Sequence, residues 1–208
     1  MVIQPTHHEF MTLALEQASF GQLIVRPNPA VGCVLVKHNE VVGTGYTQQV
    51  GGPHAEVMAI QSAGDLAKGA IAYVTLEPCG HYGRTPPCSL ALIEAGVSAL
   101  VYGCQDPNPL VAGQGLSQLR TANIEVIGPV MEAECERSNR GFLQRMKTNK
   151  PYVINKLAMS LDGRTAMESG ESQWITGPEA RAQVHLLRAQ SCAVITGIGS
   201  ILRDNPSM

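Results

Sequence analysis

The stretch AIAYVTLEPCGHYGRTPPCSLALIEAGVSALVYG, residues 70–103, decides the fold class of this chain. Residues 70–77 are rich in apolar and β-branched side chains, which predicts a strand. A helix is predicted to begin at Pro86 and Pro87 and to end at Gly96, and residues 97–103 predict a second strand. Because a helix between the two strands supplies a crossover connection, the strands are expected to be parallel. We therefore predict an α/β fold.

The sequence before this stretch continues the alternation of helices and strands. Residues 7–20 have apolar side chains at helical spacing, and residues 54–64 predict a second helix. Between them, residues 30–46 predict two Val-rich strands joined by a tight turn at His38 and Asn39. The sheet should therefore contain one antiparallel hairpin beside its parallel strands, with helices on both faces.

The sequence after this stretch divides the chain into two domains. Residues 113–128 predict a helix and a short strand, and residues 129–147 predict a charged helix. A boundary is predicted near residue 148, which gives domains 1–148 and 149–208.

The pattern starts again after the boundary. Strands are predicted over residues 152–163 and 192–199, with a helix over residues 178–190 between them. A segment of this length with so few elements is close to the size at which a single hydrophobic core is only marginally stable. We therefore expect this segment to be the front of a larger domain.

Charge and cysteine content narrow the function classes. The 208 residues carry 15 Lys and Arg against 17 Asp and Glu, a net charge of -2, so no overall basic field favours nucleic acid. No run of about 20 apolar residues predicts a membrane span, and we expect a cytoplasmic protein that acts on a small molecule. In a reducing compartment, paired cysteines more often bind metal or act in catalysis than form disulfides.

His54, Cys79 and Cys88 have the side chains that zinc prefers as ligands. Three protein ligands leave a fourth tetrahedral position for water, as in catalytic sites. His81 lies between the two cysteines and is an alternative to Cys88 as the third ligand. If all four bound, the site would be a closed Cys₂His₂ structural site without chemistry.

Glu56 follows His54 by two residues, which on a helix point in different directions, so it is poorly placed to bind the same ion. It could take a proton from zinc-bound water and pass it to a departing amine, which predicts hydrolytic deamination. The pattern H-x-E followed by P-C-x-x-C is the known signature of zinc nucleobase deaminases. The first half fits, whereas eight residues separate Cys79 from Cys88 where the signature has two.

Two further polar positions are candidates for substrate binding. Asn28 is held between two prolines just before a predicted buried strand, and Asn108 follows a strand where α/β sheets form ligand crevices. An ordinary turn residue is the alternative interpretation of each. The charged residues 134–147 likewise have two interpretations, an interface in a homo-oligomer or a solvated helix face.

The motifs RPNPAVGCVLV, HAE, YVTLEPCGHYGRTPPC and DPNP together resemble the bifunctional deaminase–reductase family of bacterial riboflavin biosynthesis. The resemblance implies a three-layer α/β/α cytidine-deaminase-like domain with a central mixed sheet. It also implies that His54, Cys79 and Cys88 bind Zn²⁺, since the long cysteine spacing is typical of this family. Glu56 would be the proton shuttle, and the substrate would be a phosphoribosylated diaminopyrimidinone. Arg84 is suited to bind the substrate phosphate, and a solvated loop arginine is the alternative interpretation.

The resemblance extends past residue 150 through KLAMSLDGRTA, GESQWITG, HLLRAQ and GSILRDNP. It implies the start of an NADPH-dependent reductase domain with a dihydrofolate-reductase-like α/β fold, which in this family continues beyond residue 208. We expect this chain to deaminate and not to reduce. The residues implied to contact NADP are Ala158, Trp174, Ser200 and Asp204, and those implied to contact the reductase substrate are Ser172 and Arg188.

Two other functions remain as alternatives. A nucleoside or tRNA adenosine deaminase would share the fold and the zinc chemistry, although a tRNA enzyme should present a basic face. A non-catalytic zinc-stapled module would need no carboxylate at Glu56.

Overall fold

The computed structural model describes residues 5–83, 85–108 and 111–207. The chain divides into two compact units, residues 1–152 and residues 153–208, and each is described by itself. Among the described residues, no helix combines the length and hydropathy that crossing a membrane requires.

The first unit is built on a five-stranded mixed sheet with the strand order β2-β1-β3-β4-β5. β1 pairs antiparallel with both β2 and β3, whereas β3, β4 and β5 are parallel. The helix predicted between residues 70–77 and 97–103 is present, so the expected crossover and parallel pairing are confirmed. The strands are β1 Gly32–Lys37, β2 Glu40–Tyr46, β3 Ile71–Leu76, β4 Ala99–Cys104 and β5 Glu125–Ile127.

Helices cover both faces of this sheet, which confirms the three-layer α/β/α arrangement. α1 and α5 lie on one face, and α2 lies on the other beside α3, which also contacts α4. The core between the layers consists mainly of Val, Leu and Ala side chains. The helices of this unit are α1 Pro5–Gly21, α2 Ala55–Ala63, α3 Cys88–Glu94, α4 Gln114–Thr121, α5 Glu132–Ser138 and α6 Arg140–Thr148.

The predicted hairpin turn between β1 and β2 is confirmed. Lys37 pairs with Glu40, and the two residues between them, His38 and Asn39, have φ of 52° and 67°. Two left-handed residues form the type of turn whose twist matches that of the flanking strands.

Helix α2 packs unusually close to β2, and this contact places the start of the helix against the sheet. A Cβ atom on Gly43 would lie 2.4 Å from the Ala59 carbonyl oxygen, and one on Gly45 would lie 2.4 Å from that of Ala55. Only glycine allows this approach, because any side chain would overlap the helix backbone. The N-terminus of α2, which follows His54, is thereby fixed beside the end of β2.

The charged stretch predicted as one helix is two helices separated by a buried asparagine. Asn139 is 5% exposed and lies between α5 and α6. Its Oδ1 accepts a hydrogen bond from Ala30 N at 2.8 Å, and its Nδ2 donates to Ala30 O at 2.8 Å. The side chain therefore satisfies both backbone groups of a residue that no strand partner reaches, and holds the segment before β1 in place.

Asn139→Ala is expected to lower the free energy of unfolding by about 2–4 kcal/mol, because it leaves the buried N–H and C=O of Ala30 without partners. Urea unfolding followed by circular dichroism measures the change. Gln61→Ala removes a polar side chain from an exposed helix position and should leave stability nearly unchanged. A loss below about 1 kcal/mol for Asn139→Ala would contradict this account of the bonds.

The second unit differs from the sequence prediction. The helix predicted over residues 178–190 is confirmed as α7, Pro178–Ala189, and a further helix, α8, spans Ile198–Asp204. The strands predicted over residues 152–163 and 192–199 are wrong, because the described part of this unit contains no strand. An apolar segment becomes a strand only by pairing with another, and these two segments form no ladder. No described residue of this unit is buried.

Candidate metal centre

Three side chains meet at one edge of the sheet in the first unit. His54 is the residue before α2 and has an extended backbone, Cys79 follows β3, and Cys88 is the first residue of α3. One potential ligand atom from each lies within 4.8 Å of the others. His54 Nδ1 is 3.1 Å from Cys88 Sγ and 3.7 Å from Cys79 Sγ. Nitrogen and sulfur ligands of a tetrahedral zinc ion are about 3.6 Å apart, so the three donors fit this metal.

The structure groups Cys88, and not His81, with His54 and Cys79. His81 also lies in the segment between the two cysteines, but its Nδ1 is buried without a hydrogen-bond partner among the described residues. The geometry therefore favours the set of one histidine and two cysteines, which leaves a fourth position open.

Hydrogen bonds between the donors set their charge. The Cys88 thiol lies against Cys79 Sγ, and this contact lowers the pKa of Cys79 and raises that of Cys88. Hydrogen bonds from His54 and from the backbone N–H of Cys88 also lower the pKa of Cys79, whereas burial opposes the shift. The bond with Cys79 raises the pKa of His54. Cys79 is thus prepared as a thiolate, which is the form that binds metal.

Glu56 lies in the first turn of α2 and is 3% exposed. Burial raises the pKa of its carboxyl group, and the neighbouring His54 partly offsets this shift. Its side chain also interacts with Cys88, so it lies against the group of three donors. A carboxyl group with a raised pKa holds a proton more readily than a free one and can return it, as a general acid–base requires.

Other polar residues follow the same edge of the sheet. The N-terminal end of β1 lies beside the C-terminal end of β3, so Asn28 precedes β1 at the edge where Cys79 follows β3. Asn108 follows β4 at this edge, and its N–H donates to Asp106 Oδ1 at 2.8 Å. The topology therefore places both predicted substrate residues at the edge of the sheet from which the metal donors come. Arg84 lies outside the described residues.

The residues implied for the reductase activity lie on separate segments of the second unit. Ser200 and Asp204 are one turn apart on α8, and Arg188 is in the last turn of α7. Trp174 is 70% exposed, and the guanidinium of Arg181 lies 4.5 Å from its ring centroid. Ala158 and Ser172 lie in segments without regular structure.

Sequence reasoning missed Ser89, Glu77 and Gln118. Ser89 is fully buried, and its hydroxyl oxygen lies 3.2 Å from Cys79 O and 2.5 Å from Oε1 of Gln118 on α4. Glu77 is 3% exposed, and both carboxylate oxygens lack a hydrogen bond among the described residues. Burial raises the pKa of this carboxyl group. Glu77 could have been identified from the sequence, because it is a charged residue at the end of an apolar strand. No feature of the neighbouring sequence distinguishes Gln118.

Two family models match the chain in succession. Residues 4–104 match the cytidine and deoxycytidylate deaminase zinc-binding region, and residues 151–208 match the RibD C-terminal domain. The riboflavin biosynthesis protein RibD of Escherichia coli strain K12 is 57% identical over 199 residues, which cover 96% of this chain and 54% of that protein. The chain thus spans about half the length of the curated relatives it matches.

Solved structures give the same result. RibD of Acinetobacter baumannii, form 1, has 52% sequence identity and a TM-score of 0.89 over 97% of this chain and 56% of its own. A Thermotoga maritima protein described as a diaminohydroxyphosphoribosylaminopyrimidine deaminase/5-amino-6-(5-phosphoribosylamino)uracil reductase has 42% identity and a TM-score of 0.91, over 97% and 58%. From these matches and the two family models, the chain belongs to the RibD family of riboflavin biosynthesis proteins.

Proposed function

We propose that the first predicted domain, residues 1–148, is a zinc-dependent deaminase. Its substrate would be 2,5-diamino-6-(5-phosphoribosylamino)pyrimidin-4-one, and its products the corresponding aminouracil and ammonia. The observation that carries this proposal is the contact between a buried carboxyl group, Glu56, and the donor set His54, Cys79 and Cys88. The description of the similar Thermotoga maritima protein supports the choice of substrate.

The donor set would hold Zn²⁺, which when bound acts as a Lewis acid and lowers the pKa of water to about 7. Glu56 would accept a proton from the attacking water and deliver it to the amino nitrogen that leaves the pyrimidine ring. The oxygen of water then replaces the amino group, and ammonia departs. Because Glu56 is buried, bulk water does not compete with it for these protons.

Substrate contacts would come from the same edge of the sheet. The amides of Asn28 and Asn108 can both donate and accept hydrogen bonds, as recognition of a diaminopyrimidinone ring requires. Arg84, on the segment between the two cysteines, would pair with the substrate phosphate, since guanidinium binds phosphate oxygens through paired donors.

In full-length members of the family, the second predicted domain, residues 149–208, would form part of a domain that reduces the ribosyl side chain with NADPH. Its match to the RibD C-terminal domain supports this assignment. Ala158, Trp174, Ser200 and Asp204 would contact NADP, and Ser172 and Arg188 would contact the substrate.

Substrate choice separates this proposal from the other deaminases. The purified chain, with its zinc content measured, is given the phosphoribosyl diaminopyrimidinone, cytidine, or tRNA with a target adenosine, and ammonia is measured. We expect ammonia from the first substrate only. Release from cytidine or tRNA instead would favour a nucleoside or tRNA deaminase. Bound zinc without release from any of the three would favour a structural site.

A further inference from the structure

The two cysteines of the candidate metal centre come from different segments, and the chain between them does not fix their separation. Cys79 follows β3 and Cys88 begins α3, with the segment 80–87 between them. A zinc site requires the two sulfur atoms to be about 3.8 Å apart, as follows from tetrahedral bonds of 2.3 Å. Non-covalent contacts must therefore hold the two sulfur atoms at this distance.

The first of these contacts join the start of α3 directly to Cys79. Cys88 N donates to Cys79 Sγ at 3.3 Å, and Ser89 N donates to Cys79 O at 3.2 Å. The first turn of α3, which carries Cys88, is therefore hydrogen-bonded directly to Cys79.

The second set of contacts comes from a residue distant in sequence. Gln118 on α4 donates from Nε2 to Gly80 O at 2.8 Å, and its Oε1 accepts from Ser89 Oγ at 2.5 Å. Because the Gly80 carbonyl can only accept, the amide nitrogen must face it, and the amide oxygen then faces Ser89. The Ser89 hydroxyl has one hydrogen and two possible acceptors, Gln118 Oε1 at 2.5 Å and Cys79 O at 3.2 Å. We assign the hydrogen to Gln118 Oε1, because this contact is shorter and Cys79 O already accepts from the Ser89 backbone N–H.

Helix α4 is held against the same segment by backbone contact. A Cβ atom on Gly115 would lie 1.9 Å from Pro78 O, and one on Gly80 would lie 2.7 Å from Gly115 N. Glycine at both positions lets the two backbones touch. Gln118 lies one turn further along α4, so its backbone is held in place by this packing against the segment that carries Cys79.

We propose that Gln118 is a positioning residue for the metal centre, one that sets the separation of the two cysteine sulfurs. It joins Gly80, the residue after Cys79, to Ser89, the residue after Cys88, through one amide group. The inference rests on the proposed zinc centre and adds to it the element that prepares the ligands before metal binds. Outer hydrogen-bond partners of metal ligands typically contribute about 10- to 100-fold to metal affinity.

Gln118→Met keeps the length of the side chain and removes both hydrogen bonds. We expect zinc to dissociate from this variant to a chromogenic chelator about 10- to 100-fold faster than from the wild type. The Co²⁺-substituted protein should also show altered ligand-field absorption, which a general loss of stability would not produce. Gln114→Met makes the same exchange at an exposed position of α4 and should match the wild type in both measurements.

Ser89→Ala tests whether the effect passes through the shared bond. This variant removes the hydroxyl and keeps the backbone bond from Ser89 to Cys79. Alone it should speed zinc loss, and in the Gln118→Met background it should add less than it does alone, because the bond between Ser89 and Gln118 is already broken. If the effects of the two substitutions on the rate of zinc loss were additive, the inference that they act through one shared hydrogen bond would be wrong. Zinc loss from Gln118→Met at the wild-type rate, with one zinc per wild-type chain, would overturn the inference and leave the zinc centre standing. A wild type that binds no zinc would overturn both.

Discussion

Glu56→Gln is expected to lower the rate of ammonia release by about 100- to 10,000-fold and to leave zinc content unchanged. Glutamine has the size of glutamate but cannot accept and return a proton at neutral pH. The donor set His54, Cys79 and Cys88 remains intact in this variant. The burial that raises the pKa of Glu56 also means that a neutral amide fits its site, so stability should equal or exceed that of the wild type.

Steady-state ammonia release, zinc content by atomic emission and thermal unfolding are measured on the same preparation. Glu94→Gln is the matched control, because Glu94 is exposed on α3 and the exchange is identical. Activity of Glu56→Gln within about tenfold of the wild type would show that another group carries the proton. Loss of zinc together with activity would instead make Glu56 a part of the metal site.

Cys88→Ala is expected to remove zinc from the protein. The variant deletes one of three donors and leaves Glu56 beside a site with two. Zinc affinity should fall by more than about 100-fold, because losing a ligand costs more affinity than losing a hydrogen-bond partner of a ligand. After dialysis against a chelator, we expect substoichiometric zinc in this variant, with deamination reduced in proportion.

His81→Ala is the variant that tests the alternative ligand. Because His81 does not belong to the group of close donors, the variant should retain one zinc per chain and most of the activity. Zinc retained by Cys88→Ala and lost by His81→Ala would reverse the assignment. Loss of zinc from both variants would indicate the closed four-ligand site, in which no position remains for water.

The α/β class, the hairpin turn at His38 and Asn39 and the crossover between β3 and β4 were all readable from the sequence. Each depends on signals within a few residues: apolar periodicity, turn residues and the order of neighbouring elements. The candidate donors were readable for the same reason, because cysteine, histidine and glutamate are chemically distinctive at any position. The strands predicted over residues 152–163 and 192–199 show the limit of such signals, since an apolar run specifies a strand only when a partner strand pairs with it.

By itself the sequence thus determined the fold class of the first unit and the chemistry available to it. Only the tertiary structure decided which of these groups meet. It placed Cys88, and not His81, beside His54, and it brought Asn139 to Ala30 and Gln118 to Gly80 and Ser89. These contacts join residues far apart in the chain, and no local pattern encodes them. They arise from packed helices and from buried backbone groups that must find partners.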